Sequence, residues 1–202
     1  MTKMTTTRPF SIDLPEGMTA LPTAAEPGAA QALAASLADG MGLPADDVSA
    51  GVVGDALTVF GALLGDAGID FAAMGLFRSP DDPKRPVSVV VTGARIPSNH
   101  ASPEVAIAGL RQLSIKNGAD TVEVVHLSGG EAVIAVDESM QQLVADDATP
   151  PAAVLTRKAT AWIPDTTGST IAVVSVISPS WQDWQHTCEL AVDLFETFRW
   201  ET

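Results

Sequence analysis

Short β-rich runs joined by turn-forming segments fill most of the chain between positions 69 and 177. The predicted strands are residues 69–78, 86–96, 121–127, 131–136, 153–163 and 169–177. Pro, Gly, Asp and Ser in the joining segments favour tight turns between antiparallel strands. Ser169–Ile177 is almost continuously apolar, as expected of a central strand with both faces covered. The pattern therefore predicts an antiparallel sheet, with the polar residues 138–151 as a loop or an edge excursion.

Three segments before and between these strands have helical character. Residues 25–39 are rich in Ala, and residues 46–65 carry a wide apolar face, so both are predicted helices. Residues 103–116 form another predicted helix, for which Ser102 is the N-cap and Pro103 lies in the first turn.

The last segment of the chain is predicted to be an amphipathic helix. Apolar residues recur every three or four positions, at Trp181, Trp184, Cys188, Ala191, Phe195 and Phe198. Polar residues form the opposite stripe, at Gln182, His186, Glu189, Asp193 and Glu196. We expect the apolar face to pack on the protein's own sheet, with a partner helix as the alternative occupant.

Strand pairs accompanied by helices place the chain in the α+β class. We expect a single domain over residues 1–202, in which an antiparallel sheet is covered by helices and residues 25–65 are a helical elaboration. The alternation in Phe10–Leu14 predicts a short opening strand that ends at a turn over Pro15–Gly17. Residues 1–8 are predicted to be flexible.

The charge balance argues against whole classes of partner. The chain holds 25 acidic and 11 basic residues, a net charge of −14, which disfavours binding to nucleic acid. No apolar run reaches the roughly 18 residues of a membrane helix, so we expect no membrane insertion. The polar start lacks a signal-peptide pattern, which predicts a cytoplasmic protein, although secretion without a signal stays open.

Residue types that often carry catalysis are present but scattered. His100, His126 and His186 lack the spacing of a metal site, so no metal and no cofactor is predicted. We interpret Cys188 as a buried structural thiol; His186, two positions away, would lie on another helix face. Adjacent carboxylates, interpreted as solvated, occur at Asp46 and Asp47, Asp81 and Asp82, and Asp146 and Asp147.

Both ends of the chain resemble the PsbP-like proteins of actinobacteria, a family with relatives among mycobacterial lipoproteins of the LpqN type. The resemblance lies in an apolar strand that runs through Ser178-Pro-Ser into a helix closed by Phe198-Arg-Trp, and in the opening segment Phe10–Gly17. It covers residues 69–202 and the opening strand. It implies an α/β/α sandwich around an antiparallel sheet, a role in binding or assembly, and no shared catalytic residues.

We therefore expect a non-enzymatic binding or assembly protein with a protein partner or a second copy of itself. Residues 71–130 hold six basic and five acidic residues, which makes them the least repulsive surface for an acidic partner. The candidate partner-binding residues are Arg78, Lys84, Arg85, Arg95, Trp181 and Trp184. One alternative is a carrier of small apolar ligands, with a pocket between residues 25–65 and the sheet. Another is an enzyme in which His100, His126 and loop aspartates converge.

Overall fold

The hairpin pattern folds into a large antiparallel sheet. A computed structural model describes residues 10–21, 33, 67–143 and 152–201. Its strands are β1 (Phe10–Ser11), β2 (Met18–Leu21), β3 (Ile69–Arg78), β4 (Pro86–Pro97), β5 (Thr121–Leu127), β6 (Gly130–Leu143), β7 (Ala152–Pro164), β8 (Thr170–Ser178) and β9 (Arg199–Trp200). Its helices are α1 (Pro103–Lys116) and α2 (Trp184–Glu196), with a 3-10 turn over Trp181–Asp183.

Seven strands form the main sheet, in the order β2-β3-β4-β8-β7-β6-β5. Every pairing is antiparallel, and the apolar strand β8 lies in the centre, as its sequence predicts. A second, two-stranded sheet joins β1 to β9, with Phe10 opposite Trp200. The described residues therefore form a mostly antiparallel β-structure with helices, and the α+β prediction is confirmed at that level.

In the described part of the chain, α1 and α2 lie on different faces of the main sheet. Ala132 and Val133 are neighbours in β6, and alternate residues of a strand point to opposite faces. Ala132 packs in the cluster that contains Leu194 and Phe195 of α2. Val133 packs with Ile107 of α1. The helices α1 and α2 thus cover opposite sides of the sheet.

Of the two predictions for residues 138–151, a loop is wrong for the first part, whereas an edge excursion agrees with the structure, because β5 pairs with β6 only as far as Val136. Strand β6 continues to Leu143 and pairs with β7 from Val133 to Leu143. Polar residues are accommodated there because they meet suitable partners: Asp137 lies opposite Lys158, Glu138 opposite Arg157, and Ser139 hydrogen-bonds Thr156. Cross-strand pairs of this kind stabilise a sheet without apolar side chains.

The opening strand is also shorter than its pattern predicts. Strand β1 holds only Phe10 and Ser11, and a second strand that the sequence analysis missed, β2, follows the predicted turn at Gly17. The φ angle of Gly17 is 85°, a conformation that favours Gly.

Helix α2 docks on the sheet, as predicted, and Ala191, Phe195 and Phe198 of the predicted stripe are buried, whereas Trp181, Trp184 and Cys188 are not. Its buried positions are Thr187, Ala191, Leu194 and Phe195. Trp184 and Cys188 lie at the edge of this stripe, and Trp181 precedes the helix and is 61% exposed. Phe198 follows the helix and is fully buried.

Several sequence predictions lie outside the described residues. These are the helices at 25–39 and 46–65, the flexible residues 1–8, the ligand pocket beside residues 25–65, and the carboxylate pairs at 46–47 and 146–147. Leu33 is described: it is helical and buried, and it packs with Leu21 and Ala72. Within the described part of the chain, no helix is long and apolar enough to cross a membrane.

Candidate functional site

Helix α2 separates two concave surfaces on its side of the sheet. One, which we call the aromatic surface, is lined by Arg157, Trp181, Trp184, Gln185, Cys188 and Val192. The other, which we call the α2 groove, lies between α2, the turn-proximal ends of β3 and β4, and residues 13–15. Glu189 and Asp193 line both, so they form an acidic ridge along the outer side of the helix.

The aromatic surface combines exposed and anchored side chains. Trp181 is 61% exposed and Val192 is 52% exposed. Trp184 is half-buried and packs against the main core, and the guanidinium carbon of Arg157 lies 6.0 Å from the centre of its ring. Arg157 also forms an ion pair with Glu138. The depression between these residues has a volume of about 680 Å³.

Two further apolar residues extend the aromatic surface along the sheet. Met140 and Leu155 face each other across β6 and β7, two positions beyond the Glu138–Arg157 pair. Because alternate residues share a face, they lie on the same side of the sheet as Arg157. Met140 is 62% exposed and Leu155 is 38% exposed. Met140 and Leu155 therefore add exposed apolar surface on the side of the sheet that carries Arg157.

Cys188 lies at the base of the aromatic surface. The side chain is half-buried rather than fully buried as its sequence position predicts. Burial raises the pKa of the Cys188 thiol above its ordinary value, and the nearby charge of Arg157 opposes this only in part. Cys188 is therefore a thiol at neutral pH and a poor nucleophile.

The turn between β3 and β4 is joined to the start of α2 by an ion pair between the half-buried Arg85 and the buried Asp183. Arg85 donates from Nε to Asp183 Oδ2 at 2.8 Å and from Nη2 to Asp183 Oδ1 at 2.9 Å. The Ser79 hydroxyl also donates to Asp183, whose side chain is fully buried. The hydrogen bonds from Arg85 and then Ser79 hold the pKa of Asp183 below its usual value. The half-buried Arg85 side chain is thus already engaged by Asp183.

The structure separates the other basic residues of the predicted partner surface. Arg78 and Lys84 lie with Arg85 at the β3–β4 turn, where Arg78 donates to the Pro83 carbonyl at 2.9 Å and Lys84 is exposed. Arg95 lies toward the other end of β4 and binds both carboxylate oxygens of Asp70 at 2.9 Å. Trp181 and Trp184, by contrast, lie together on the aromatic surface.

The three His residues have different surroundings. The ring of His100 is buried and contacts the Ser98 hydroxyl and the Asp165 carbonyl, both at 3.0 Å, so it ties two loops together. His126 is exposed near the end of β5. His186 lies 3.3 Å from an Asp81 carboxylate oxygen and 3.7 Å from one of Glu189.

These positions bear on the enzyme alternative. Among the described residues, His100 hydrogen-bonds Ser98 and Asp165, and no hydrogen bond joins it to His126, Asp81 or Asp82. It is His186 that meets Asp81, across 105 positions of sequence. In the described ranges, no three His, Cys, Asp or Glu residues are grouped so that they could hold a metal ion.

Sequence reasoning missed Arg157 and the extension of the aromatic surface over β6 and β7. Arg157 and Lys158 are neighbours in sequence, and their strand parity already predicts that they point to opposite faces. What the sequence does not reveal is the register that sets Arg157 beside Trp184.

Comparison of the chain with protein-family models, curated proteins and solved structures finds no match.

Proposed function

We propose that this protein is a non-enzymatic binding or assembly protein whose protein partner docks on the aromatic surface. The observation that carries the proposal is the exposure of Trp181 and Val192 beside the anchored pair of Trp184 and Arg157. Isolated exposed apolar residues are common on protein surfaces and need no explanation, but a contiguous set is typical of interaction sites.

The composition of the aromatic surface supports this function. Trp, Met and Arg are enriched in protein interfaces, and Trp and Arg dominate their energetic centres. Trp184 packs against the core. Arg157 is positioned by its ion pair with Glu138 and by its contact with the Trp184 ring. Side chains that are already ordered lose less conformational entropy when a partner binds. A partner would therefore meet a preformed centre with Trp181 and Met140 at its edges.

We also propose that the chain is a PsbP-like protein that acts in the cytoplasm. The C-terminal resemblance supports this assignment, as do the antiparallel sheet and the positions of α1 and α2 on its opposite faces. A binding module is the role that the resemblance implies. Arg78 and Lys84 at the β3–β4 turn remain candidates for a second, electrostatic contact with an acidic partner.

Site-specific photocrosslinking tests the proposed docking surface. A photoreactive amino acid is placed at position 181 or 192, and the protein is irradiated in a lysate of its source cells. We expect one defined adduct from both positions, and we expect it to disappear when Trp184 is also replaced by Ala. The mass of the adduct distinguishes a different protein from a second copy of this chain.

Position 105 provides the matched control. Val105 is 58% exposed, but it lies on α1, on the opposite side of the sheet. The same adduct from position 105, or no defined adduct from positions 181 and 192, would contradict docking on the aromatic surface. Circular dichroism of the Trp184→Ala variant checks that the fold is retained.

A further inference from the structure

The α2 groove is a second concave site, distinct from the aromatic surface. It has a volume of about 600 Å³, within the range of small-molecule sites. Its walls are largely apolar, formed by Leu14, Pro15, Phe77, Val87, Leu190 and Leu194. A concave apolar site of this size with a few polar groups at its edge is the usual form of a ligand site.

The floor of the α2 groove is held in place by close packing. The Phe77 ring lies so near Gly75 that a Cβ atom there would come within 2.5 Å of it, and a Cβ atom at Gly17 would come within 3.1 Å. Leu194 is fully buried, and Leu14 and Val87 are also buried. The groove is thus preformed, and a ligand would not have to order its walls on binding.

Carboxylates predominate among the charged residues of the α2 groove. Asp13, Glu189 and Asp193 line it, and of these Glu189 and Asp193 are exposed. Against them stand Arg78, whose guanidinium is already bonded to the Pro83 carbonyl, and His186, which faces Asp81 and Glu189. The fourth carboxylate, Asp183, is neutralised by Arg85. Three carboxylates therefore face one guanidinium, and the site favours a positive charge.

The hydroxyl groups of the groove are already used within the protein. Thr187 donates to the Asp183 carbonyl at 3.2 Å, and Thr197 donates to the Leu194 carbonyl at 2.7 Å. The exposed carboxylates of Glu189 and Asp193 remain accessible to a ligand, with His186 beside Glu189. Because the carboxylates lie above an apolar floor, a ligand would make its apolar contacts with the floor and its charged contacts with the carboxylates.

We propose that the α2 groove binds a small amphiphilic organic cation, with its apolar body on Phe77 and Leu190 and its ammonium group near Glu189 and Asp193. Apolar burial supplies most of the affinity, and the carboxylates supply the choice of charge. The aromatic surface lies across the ridge of Glu189 and Asp193, and these two carboxylates line both sites.

Three probes with the same phenyl group and similar chain lengths test both parts of this proposal. They are 4-phenylbutylamine, 4-phenylbutanol and 4-phenylbutyrate, titrated into the full chain at pH 7 and low salt. Backbone amide shifts in NMR spectra report where each binds. We expect the amine to bind at Phe77 and Leu190 at least tenfold more tightly than the carboxylate, with the alcohol between them. Added salt should weaken binding of the amine and leave that of the alcohol unchanged.

Charge-removing variants then identify the recognising carboxylates. The double variant Glu189→Gln, Asp193→Asn should bind the amine about three- to tenfold more weakly, given the modest strength of exposed ion pairs. Its affinity for the alcohol should be unchanged. Glu104→Gln removes a carboxylate from α1 on the opposite side of the sheet and should change neither. Trp181→Ala should also change neither, which separates this test from that of the aromatic surface.

Several outcomes would overturn the proposal. Equal affinity for the three probes would contradict recognition by the carboxylates. Amide shifts confined to other surfaces would contradict binding in the α2 groove. Absence of amine binding, combined with binding of a Leu- and Lys-containing peptide in the groove, would assign the site to a macromolecular partner instead of a small cation.

Discussion

At the scale of single residues, Asp183 couples the stability of the protein to pH. Its folded-state pKa lies below the ordinary value of about 3.9 that it regains on unfolding. A depressed folded pKa contributes stability that is present above the unfolded pKa and is lost as the pH falls through the folded pKa. The ion pair with Arg85 should therefore stabilise the fold at neutral pH and fail in acid.

Replacing Asp183→Asn should lower the Tm at pH 7 by roughly 5 °C or more, because Arg85 loses its buried partner. The difference in Tm from the unaltered protein should narrow as the pH falls from 5 to 3. Calorimetry of both proteins across this range checks the prediction.

The Asp70–Arg95 pair offers the matched control, since it has the same bidentate geometry at a more exposed place. Asp70→Asn should change the Tm by no more than about 2 °C. A Tm difference for Asp183→Asn that stays constant or widens in acid would contradict the assigned role of Asp183.

Substitution by Ala should change the free energy of unfolding in opposite directions at Gly93 and Gly109. A Cβ atom at Gly93 would lie 1.9 Å from the buried ring of Phe71, whereas at Gly109, exposed on α1, it would meet nothing within 4 Å. Gly93→Ala should cost about 1–3 kcal/mol of unfolding free energy. Gly109→Ala should contribute about 0.5–1 kcal/mol. Urea unfolding measures both, and equal effects would contradict the packing of Phe71 on Gly93.

Local sequence signals at this scale are accurate, whereas distant contacts are not predictable. Ser102 accepts a hydrogen bond from the Val105 amide, and α1 begins at Pro103 and ends at Lys116, as predicted. The signals for that helix lie within a few positions of its ends. The partners Arg85 and Asp183 are 98 positions apart, and no local pattern connects them.

At the scale of elements, the second half of β6 shows why polar strands escape prediction. Composition indicates a loop, but the partner strand β7 supplies a cross-strand partner at each position from 137 to 139. These pairs depend on a register that is set by the whole sheet. Periodicity in a single strand therefore contains no information about them.

A reversal of charge tests the pairing of Asp137 with Lys158, whose nitrogen lies 3.5 Å from the carboxylate. Lys158→Glu should destabilise the protein by about 0.5–1 kcal/mol because two carboxylates then face each other. Adding Asp137→Lys should restore most of the loss. Urea unfolding of both single variants and the double variant gives the coupling energy, and simple additivity would contradict the register.

Helix α2 shows that the size of its side chains affects which of its residues are buried. Its buried positions include Thr187 and Ala191, which let the helix approach the sheet closely. The larger Trp184 fits at the edge of that contact, and Trp181 lies beyond it. Spacing alone predicts an amphipathic helix correctly, but the size of the side chains decides which stripe is buried and which forms the aromatic surface.

At the scale of the whole molecule, one aromatic cluster joins the ends of the described chain to the core. Phe198 stacks on Phe10 with ring centres 5.3 Å apart and meets Trp200 edge to face at 5.3 Å. Phe10 in turn contacts Phe71 of the main sheet. This arrangement makes the two-stranded β1–β9 sheet part of the main core.

Phe198→Ala should therefore cost about 3–5 kcal/mol of unfolding free energy, because the ring is fully buried. Val192→Ala, a truncation at an exposed position, should change it by no more than about 0.5 kcal/mol. Chemical unfolding followed by fluorescence and by circular dichroism provides both values. A small effect of Phe198→Ala would contradict its place in the core.

The overall class of the fold could be predicted from the order and type of its elements, while the candidate sites could be predicted only in part. Trp181 and Trp184 were found through their helical spacing. The α2 groove was not, because its lining comes from three separate regions that include Leu14, Phe77 and Leu190. Such a site exists only once the strands and the helix are packed.

The pairing of Phe10 with Trp200 also determines how the molecule would yield to mechanical load. These residues lie directly opposite each other, and the hydrogen bonds of an antiparallel pair run perpendicular to the strands. A tension applied between positions 10 and 200 therefore acts along those hydrogen bonds and breaks them sequentially. The two short strands would peel away first, before the load reached the seven-stranded sheet.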